Sequence, residues 1–201
     1  MPVASTLEER LAGSRLAFVA AAGDVPVLEA ALAGGVDLVV LRDDAPALEA
    51  SEICRDLTNA HDALLVVTDR PDVALASGAD GVHAEQLPIA EARRLAGPGL
   101  LVGYSIRSAH EAVIPPPADY LFVGPVFETP TKPGWVPLGL DAVRLAADVS
   151  PLPFFAIGGI DVTNARDVVA AGARRLAAVR AIRDAADPAE AARRLRLATE
   201  E

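Results

Sequence analysis

Lysine is almost missing from this chain. Lys and Arg together number 18, and Lys132 is the one lysine among them, so arginine supplies the other 17. Cysteine is equally scarce. Cys54 stands alone in a stretch of helical character, which excludes a disulfide framework and a cysteine zinc site. Aromatic residues make up 4% of the sequence against 52% hydrophobic residues overall, so a core must be built mainly from Ala, Val, Leu and Ile. No apolar run approaches the roughly 20 residues of a membrane span. The opening stretch, MPVASTLEERLAGSRLAFVAAAG, has no basic leader and carries Glu8 and Glu9 where a signal peptide would be positive. A soluble cytoplasmic protein is the expectation. A net charge of −10 repels nucleic-acid phosphates. It remains compatible with a phosphorylated small molecule held in a locally basic pocket.

What is present is an alternation. Short apolar runs recur at Leu16–Ala20, Asp37–Leu41, Leu64–Thr68, Gly81–Ala84, Leu100–Tyr104, Tyr120–Val123, Phe154–Ile157 and Leu176–Val179. Near-continuous apolar runs of this length fit strands buried on both faces of a parallel sheet. Between them lie helical segments with readable stops: Leu28–Ala33 before Gly34 and Gly35, Val73–Ala76 before Gly78, Ile89–Leu95 before Gly97, and Ala165–Ala171 before Gly172. The last helix opens with Asp187 as N-cap, Pro188 in the first turn and Glu190 three residues after the cap. The phrases LAGGVDLVVLR, LASGADGVHA and VAAGARRLAAV repeat one step from helix through glycine to strand. Eight strands in 201 residues predict an α/β fold, a single (β/α)8 TIM barrel forming one domain over residues 1–201. An open flavodoxin-like sheet would need only about five strands.

In such a barrel the loops after the strands form the active face, and phosphate often binds after strands seven and eight. Gly158 and Gly159 follow the seventh strand. They let backbone N–H groups approach an anion, or they simply make a tight turn. Val179 and Arg180 follow the eighth and open a short helix whose start also attracts an anion. After the sixth come Thr129, Thr131 and Lys132, two hydroxyls and an ammonium that can donate to several phosphate oxygens. The surrounding prolines reduce the entropy lost on ordering that loop. In a chain that otherwise uses only arginine, the lysine points to a compact ammonium at this place. Asp69 ends the third strand, where its carboxylate can hold Mg²⁺ beside a diphosphate or cap the next helix. His83 lies at a strand end, and a structural role in the barrel is the default for it. His61 and His110 read as surface residues.

Taken together, these segments resemble the thiamine phosphate synthase / TenI family. The resemblance runs from Arg15 onward and is clearest in TDRPDVALASGADGVH, GYS, DYLFVGPVFETPTKPG and FFAIGGIDVTNARDVVAAGA. It implies the closed barrel, and a transferase that joins a hydroxymethylpyrimidine diphosphate to a thiazole phosphate, releasing diphosphate with Mg²⁺. It implies a small phosphorylated heterocyclic substrate and, since such proteins often pair, a homodimer. By position it gives Arg42, Ser105 and Lys132 to catalysis, and Thr129, Thr131, Gly158, Gly159, Val179 and Arg180 to substrate binding. It makes Asp69 a metal ligand. The sequence departs from the family pattern at several points. Val40 and Asp44 replace the Gln and Lys that flank the arginine after strand two, and Asp44 would repel a diphosphate. Thr68 stands for the usual Asn. The second metal aspartate is absent, leaving Glu85 as its substitute. Ser105-Ile106-Arg107 replaces Ser-Thr-His. Pro125 occupies the place of the tautomerase histidine and cannot exchange a proton. Three readings follow: a synthase with a remodelled metal site, a TenI-like relative with another reaction, or a non-catalytic barrel that binds a thiazole or pyrimidine phosphate.

Overall fold

The computed structural model describes residues 5–42, 47–113 and 116–200, so Asp43 and Asp44 lie outside the described residues. Eight parallel strands among them close into a barrel in sequence order. They are β1 (Leu16–Ala20), β2 (Leu38–Leu41), β3 (Leu64–Thr68), β4 (Gly81–Ala84), β5 (Leu101–Ile106), β6 (Tyr120–Val123), β7 (Phe154–Ile157) and β8 (Leu176–Ala178). Five of these have the bounds expected from the sequence. β5 runs on past Tyr104 because Ser105 and Ile106 keep pairing with Phe122 and Val123. Ser105 therefore sits inside a strand and not on the loop after it. At the other extreme β8 stops at Ala178, and Val179 becomes the N-cap residue of the next helix.

The helices are α1 (Leu7–Gly13), α2 (Val25–Ala33), α3 (Leu48–Ala60), α4 (Pro71–Ser77), α5 (Ile89–Ala96), α6 (Gly139–Val149), α7 (Ala165–Ala170), α8 (Arg180–Arg183) and α9 (Pro188–Ala198). The expected stops hold: Gly35, Gly78, Gly97 and Gly172 all adopt positive φ, which costs glycine nothing. Asp187 caps α9 by accepting the Glu190 N–H at 2.9 Å. Thr6 and Glu9 close a reciprocal capping box on α1. That helix turns Leu7 and Leu11 against the residues that fill the barrel, so it plugs the end where the strands begin.

Register fixes the shape. Among inward-facing residues Ala17, Leu38 and Leu64 lie level, then Val66 with Gly81 and Leu101, then Gly103 with Tyr120, then Phe122 with Phe155. Ile157 lies level with Ala177, which returns to Ala17. The circuit climbs two residues at each of four strands, a shear of eight. Three of the eight aromatics gather inside. Tyr120, Phe122 and Phe155 meet edge to face with centroids 5.7–5.9 Å apart, and His83 lies 4.6 Å from Phe122. Gly103 makes room for them, since a Cβ there would lie 2.1 Å from the Tyr120 ring and 2.5 Å from His83 Nδ1.

The repeated helix-to-strand step has a physical basis at the rim where the strands start. Asp37, Asp80 and Asp119 each precede an even-numbered strand. Their N–H groups donate to the carbonyls of Leu16, Leu65 and Val102 at 3.1, 2.8 and 2.7 Å. Their carboxylates accept the N–H of those same residues at 3.0, 2.8 and 2.6 Å. An arginine from a helix neutralises each: Arg196, Arg55 and Arg93 respectively. Before β8 the series breaks, and Arg175 donates instead to the Ala12 carbonyl in α1.

Two outcomes follow for stability. Asp80→Ala leaves the buried Arg55 without its carboxylate, so urea unfolding should show a loss of about 3–5 kcal/mol. His83 is fully enclosed. Burial pushes its pKa down from the ordinary 6.5 to about 4, with Glu85 and Asp69 opposing and Lys132 and Arg42 adding to the fall. Between those values the unfolded chain binds a proton that the folded one refuses. This contribution to stability is therefore complete above pH 6.5 and is lost as pH falls toward 4. His83→Gln should remove that loss, so wild type should weaken relative to the variant across the same window in urea titrations.

Candidate active site

At the rim where the strands end, a cavity of about 400 Å³ opens into the barrel mouth. Every candidate residue named from the sequence lines it except Asp69. Arg42 reaches in from the end of β2, His83 and Glu85 from β4, and Ser105 from β5. Lys132 comes from the long connection between β6 and α6. The Gly158–Gly159 turn and the Val179–Arg180 corner close the far side.

Glu85 is the centre of charge on one wall. Its Oε2 accepts from Arg42 Nε at 2.6 Å, and its Oε1 accepts from Arg42 Nη2 at 2.9 Å and Lys132 Nζ at 3.1 Å. Burial works against its ionisation, but the Arg42 and Lys132 charges and their hydrogen bonds outweigh burial and hold its pKa below the ordinary value. Asp69 does something that neither expectation described. With φ at 55° it turns its carboxylate across to the β4–α5 loop. There it accepts the backbone N–H groups of Glu85, Gln86 and Leu87 at 2.8, 2.8 and 2.9 Å. It does not cap α4, whose N-cap residue is Arg70 with no side-chain cap bond. The positive φ is tolerable for aspartate, and the three N–H bonds hold it there.

The pair Asp69 and Glu85 therefore does not suit a divalent cation. Asp69 spends both oxygens on backbone donors, and Glu85 is shared between two cationic side chains. Among the described residues no group of three or more His, Cys, Asp or Glu is arranged to hold a metal ion.

Ser105 is held from behind. His83 Nε2 lies 2.9 Å from Ser105 Oγ, and His83 Nδ1 lies 3.1 Å from the Tyr120 hydroxyl. The sequence default for His83 was structural, and it is buried as that default requires. It also orients a hydroxyl that faces the cavity. Thr68, at the end of β3, presents a buried Oγ1 with no partner among the described residues and lines the same cavity.

The far wall is a seam between two loops. Val126 and Phe127 donate their N–H groups to the carbonyls of Ile157 and Gly158 at 2.9 and 3.0 Å. Gly158 and Gly159 have φ of 99° and 67°. A Cβ on Gly158 would come within 2.5 Å of Pro125, and one on Gly159 within 2.6 Å of the Glu128 carbonyl oxygen. Both glycines are thus required by conformation and by close approach. Arg180 is turned toward Asp184, Nε to Oδ2 at 2.8 Å, and Arg183 bonds the other oxygen. In the loop itself Thr129 Oγ1 accepts the Thr131 N–H at 3.3 Å, and the Thr129 carbonyl accepts the Lys132 N–H at 3.1 Å.

Sequence reading gave Trp135 no role. Its ring is flanked by Lys132 Nζ at 4.6 Å and the Arg107 guanidinium carbon at 5.3 Å from the centroid. The signal available was the placing of the only tryptophan three residues after the only lysine.

A family model described as thiamine monophosphate synthase matches residues 16–182. A thiamine-phosphate synthase from Gloeobacter violaceus is 50% identical over 192 residues, covering 90% of this chain and 56% of that protein. One from Mycobacterium marinum is 44% identical over 213 residues, covering 94% of this chain and 97% of the relative. The chain thus spans about half the length of the Gloeobacter protein and almost the whole of the mycobacterial one. Among solved structures, the thiamine phosphate pyrophosphorylase from Pyrococcus furiosus superposes with a TM-score of 0.85 at 34% identity, covering 97% of this chain and 98% of its own. With the closed barrel and the residues around its mouth, these likenesses show that the chain belongs to the thiamine monophosphate synthase family.

Proposed function

We propose that residues 1–201 act as one cytoplasmic domain that couples hydroxymethylpyrimidine diphosphate to thiazole phosphate and releases diphosphate. One observation carries this reading: a single cavity has two cationic side chains, Arg42 and Lys132, on one wall and the positive-φ glycine turn on the other. A pair of ligands with an anionic group at each end suits that arrangement. The turn at Gly158 and Gly159 and the start of α8 are suited to the thiazole phosphate, because successive backbone N–H groups in such turns favour an anion. Arg42 and Lys132 suit the diphosphate.

In the reaction, the bond between the pyrimidine methylene carbon and the diphosphate oxygen breaks, and the oxygen keeps the electron pair. The lone pair of the thiazole nitrogen forms the new carbon–nitrogen bond. Negative charge grows on the departing diphosphate. Arg42 and Lys132 would lower the barrier as fixed positive charges, with no proton transfer required of them. Ser105, oriented by His83, is suited to hydrogen bonding with a heterocycle, and Thr129 and Thr131 can donate to phosphate oxygens. Mg²⁺ in such chemistry neutralises diphosphate charge. The donors of this chain do not fit it, so no step is assigned to it.

The test is incubation with both substrates and Mg²⁺ while diphosphate release is followed. Wild type should turn over, and no release would overturn the proposal. Lys132→Ala should lower kcat/KM by about 10²–10³-fold, the usual cost of one charge-stabilising donor, with binding of thiazole phosphate unchanged in calorimetry. Gly159→Ala should show the converse, weakening thiazole phosphate by about tenfold or more because the added methyl group forces the turn open.

A further inference from the structure

We infer that Glu85 is a resident occupant of the anion site, a carboxylate seated between Arg42 and Lys132 that a diphosphate displaces on binding without a divalent cation to bridge it. The inference rests on the coupling reading for the identity of the incoming ligand. Its geometry stands apart from that reading.

Glu85 engages Arg42 through both oxygens and shares one of them with Lys132. A guanidinium fork joined by an ammonium is the arrangement with which proteins grip phosphate or carboxylate. Here the gripped group belongs to the chain itself. Both cations line the cavity, so the position Glu85 fills is one that a ligand can reach.

The same contacts argue against a metal. A divalent cation at Glu85 would stand beside two positive side chains. Three of the roughly four lone-pair sites of the Asp69 carboxylate are taken by the backbone N–H groups that hold the loop carrying Glu85, which leaves little of it for a cation. The alternative asks less. Those three bonds fix the backbone at Glu85 and do not involve its side chain, which is held by Arg42 and Lys132 alone. Exchange then needs new side-chain torsions and no loop rearrangement.

Thr68 points the same way from a separate position. The residue lines this cavity, and its buried Oγ1 has no partner among the described residues. A hydroxyl in that state is suited to a ligand oxygen.

Glu85 would also act as a threshold. A singly charged anion gains little by replacing an anchored carboxylate, whereas a diphosphate brings several charges and more acceptor oxygens. The site then selects for highly charged groups, and selection is achieved by internal competition.

Inorganic diphosphate is the probe. Its binding to the intact chain can be read by calorimetry and by the emission of Trp135, which stacks on Lys132. In EDTA, Glu85→Gln should bind diphosphate about tenfold or more tightly than wild type, since one competing ion pair is gone. Glu85→Ala should shift affinity in the same direction, and Arg42→Met should weaken it. Thermal melts of each variant verify folding. Equal or weaker binding by folded Glu85→Gln would overturn the inference. So would binding by wild type that requires Mg²⁺ and loses that requirement in Glu85→Gln, because Glu85 would then be a metal ligand. Turnover with both substrates is scored separately. If wild type gives none while Glu85→Gln binds diphosphate more tightly, the coupling reading falls and this one stands.

Discussion

Asp37, Asp80 and Asp119 each join an even-numbered strand to the odd-numbered strand before it by two reciprocal hydrogen bonds. A barrel closes only when neighbouring strands start at the correct offset, and a slip of one residue would turn inward-facing side chains outward. These carboxylates fix that offset at three of the eight strand pairs. The side chains inside are mostly small aliphatics with a few aromatics, so packing shape alone gives weak discrimination between registers. The aspartates supply the discrimination by polar contacts, and an arginine from the helical layer balances the charge of each.

The opposite rim is built by different means. There, polar side chains meet across long sequence separations and face a cavity instead of one another's backbone. Glu85, Arg42 and Lys132 form one cluster, and Ser105 and His83 another, with the buried Tyr120 hydroxyl behind His83. The register-setting contacts and the cavity thus lie at opposite ends of the same strands, the arrangement general to barrels of this kind. The departures from the family pattern that lie among the described residues all line the cavity. None touches the three aspartates at the other rim, so the contacts that set strand offset are kept.

Much of the architecture could be read directly because the signals were local. An apolar run bounded by glycine or proline marks a buried strand whatever happens elsewhere, and five strand bounds agree with the structure residue for residue. Helices α1, α3 and α6 were harder. They are short, or polar on one face, and none is closed by a glycine at the C-cap. The site was legible as a set of residues and illegible as a set of contacts. Arg42 and Lys132 lie 43 and 47 positions from Glu85, and no local pattern encodes that meeting. Asp69 shows the same limit. A carboxylate before Arg70-Pro71 looks like a cap or a ligand, and only the positive φ and three distant N–H groups decide its role.

The seam between the Gly158–Gly159 turn and the Pro125–Glu128 segment has a consequence for how such a site can evolve. Neither Gly158 nor Gly159 has space for a methyl group. Drift is blocked at that turn, since a larger residue there demands a coordinated retreat of the facing Pro125–Glu128 segment. Innovation is channelled to the facing wall, where Arg42, Glu85, Lys132 and Trp135 meet through side chains and no backbone seam constrains their size. A lineage could retune what it accepts at one end of the cavity while inheriting the other end unaltered.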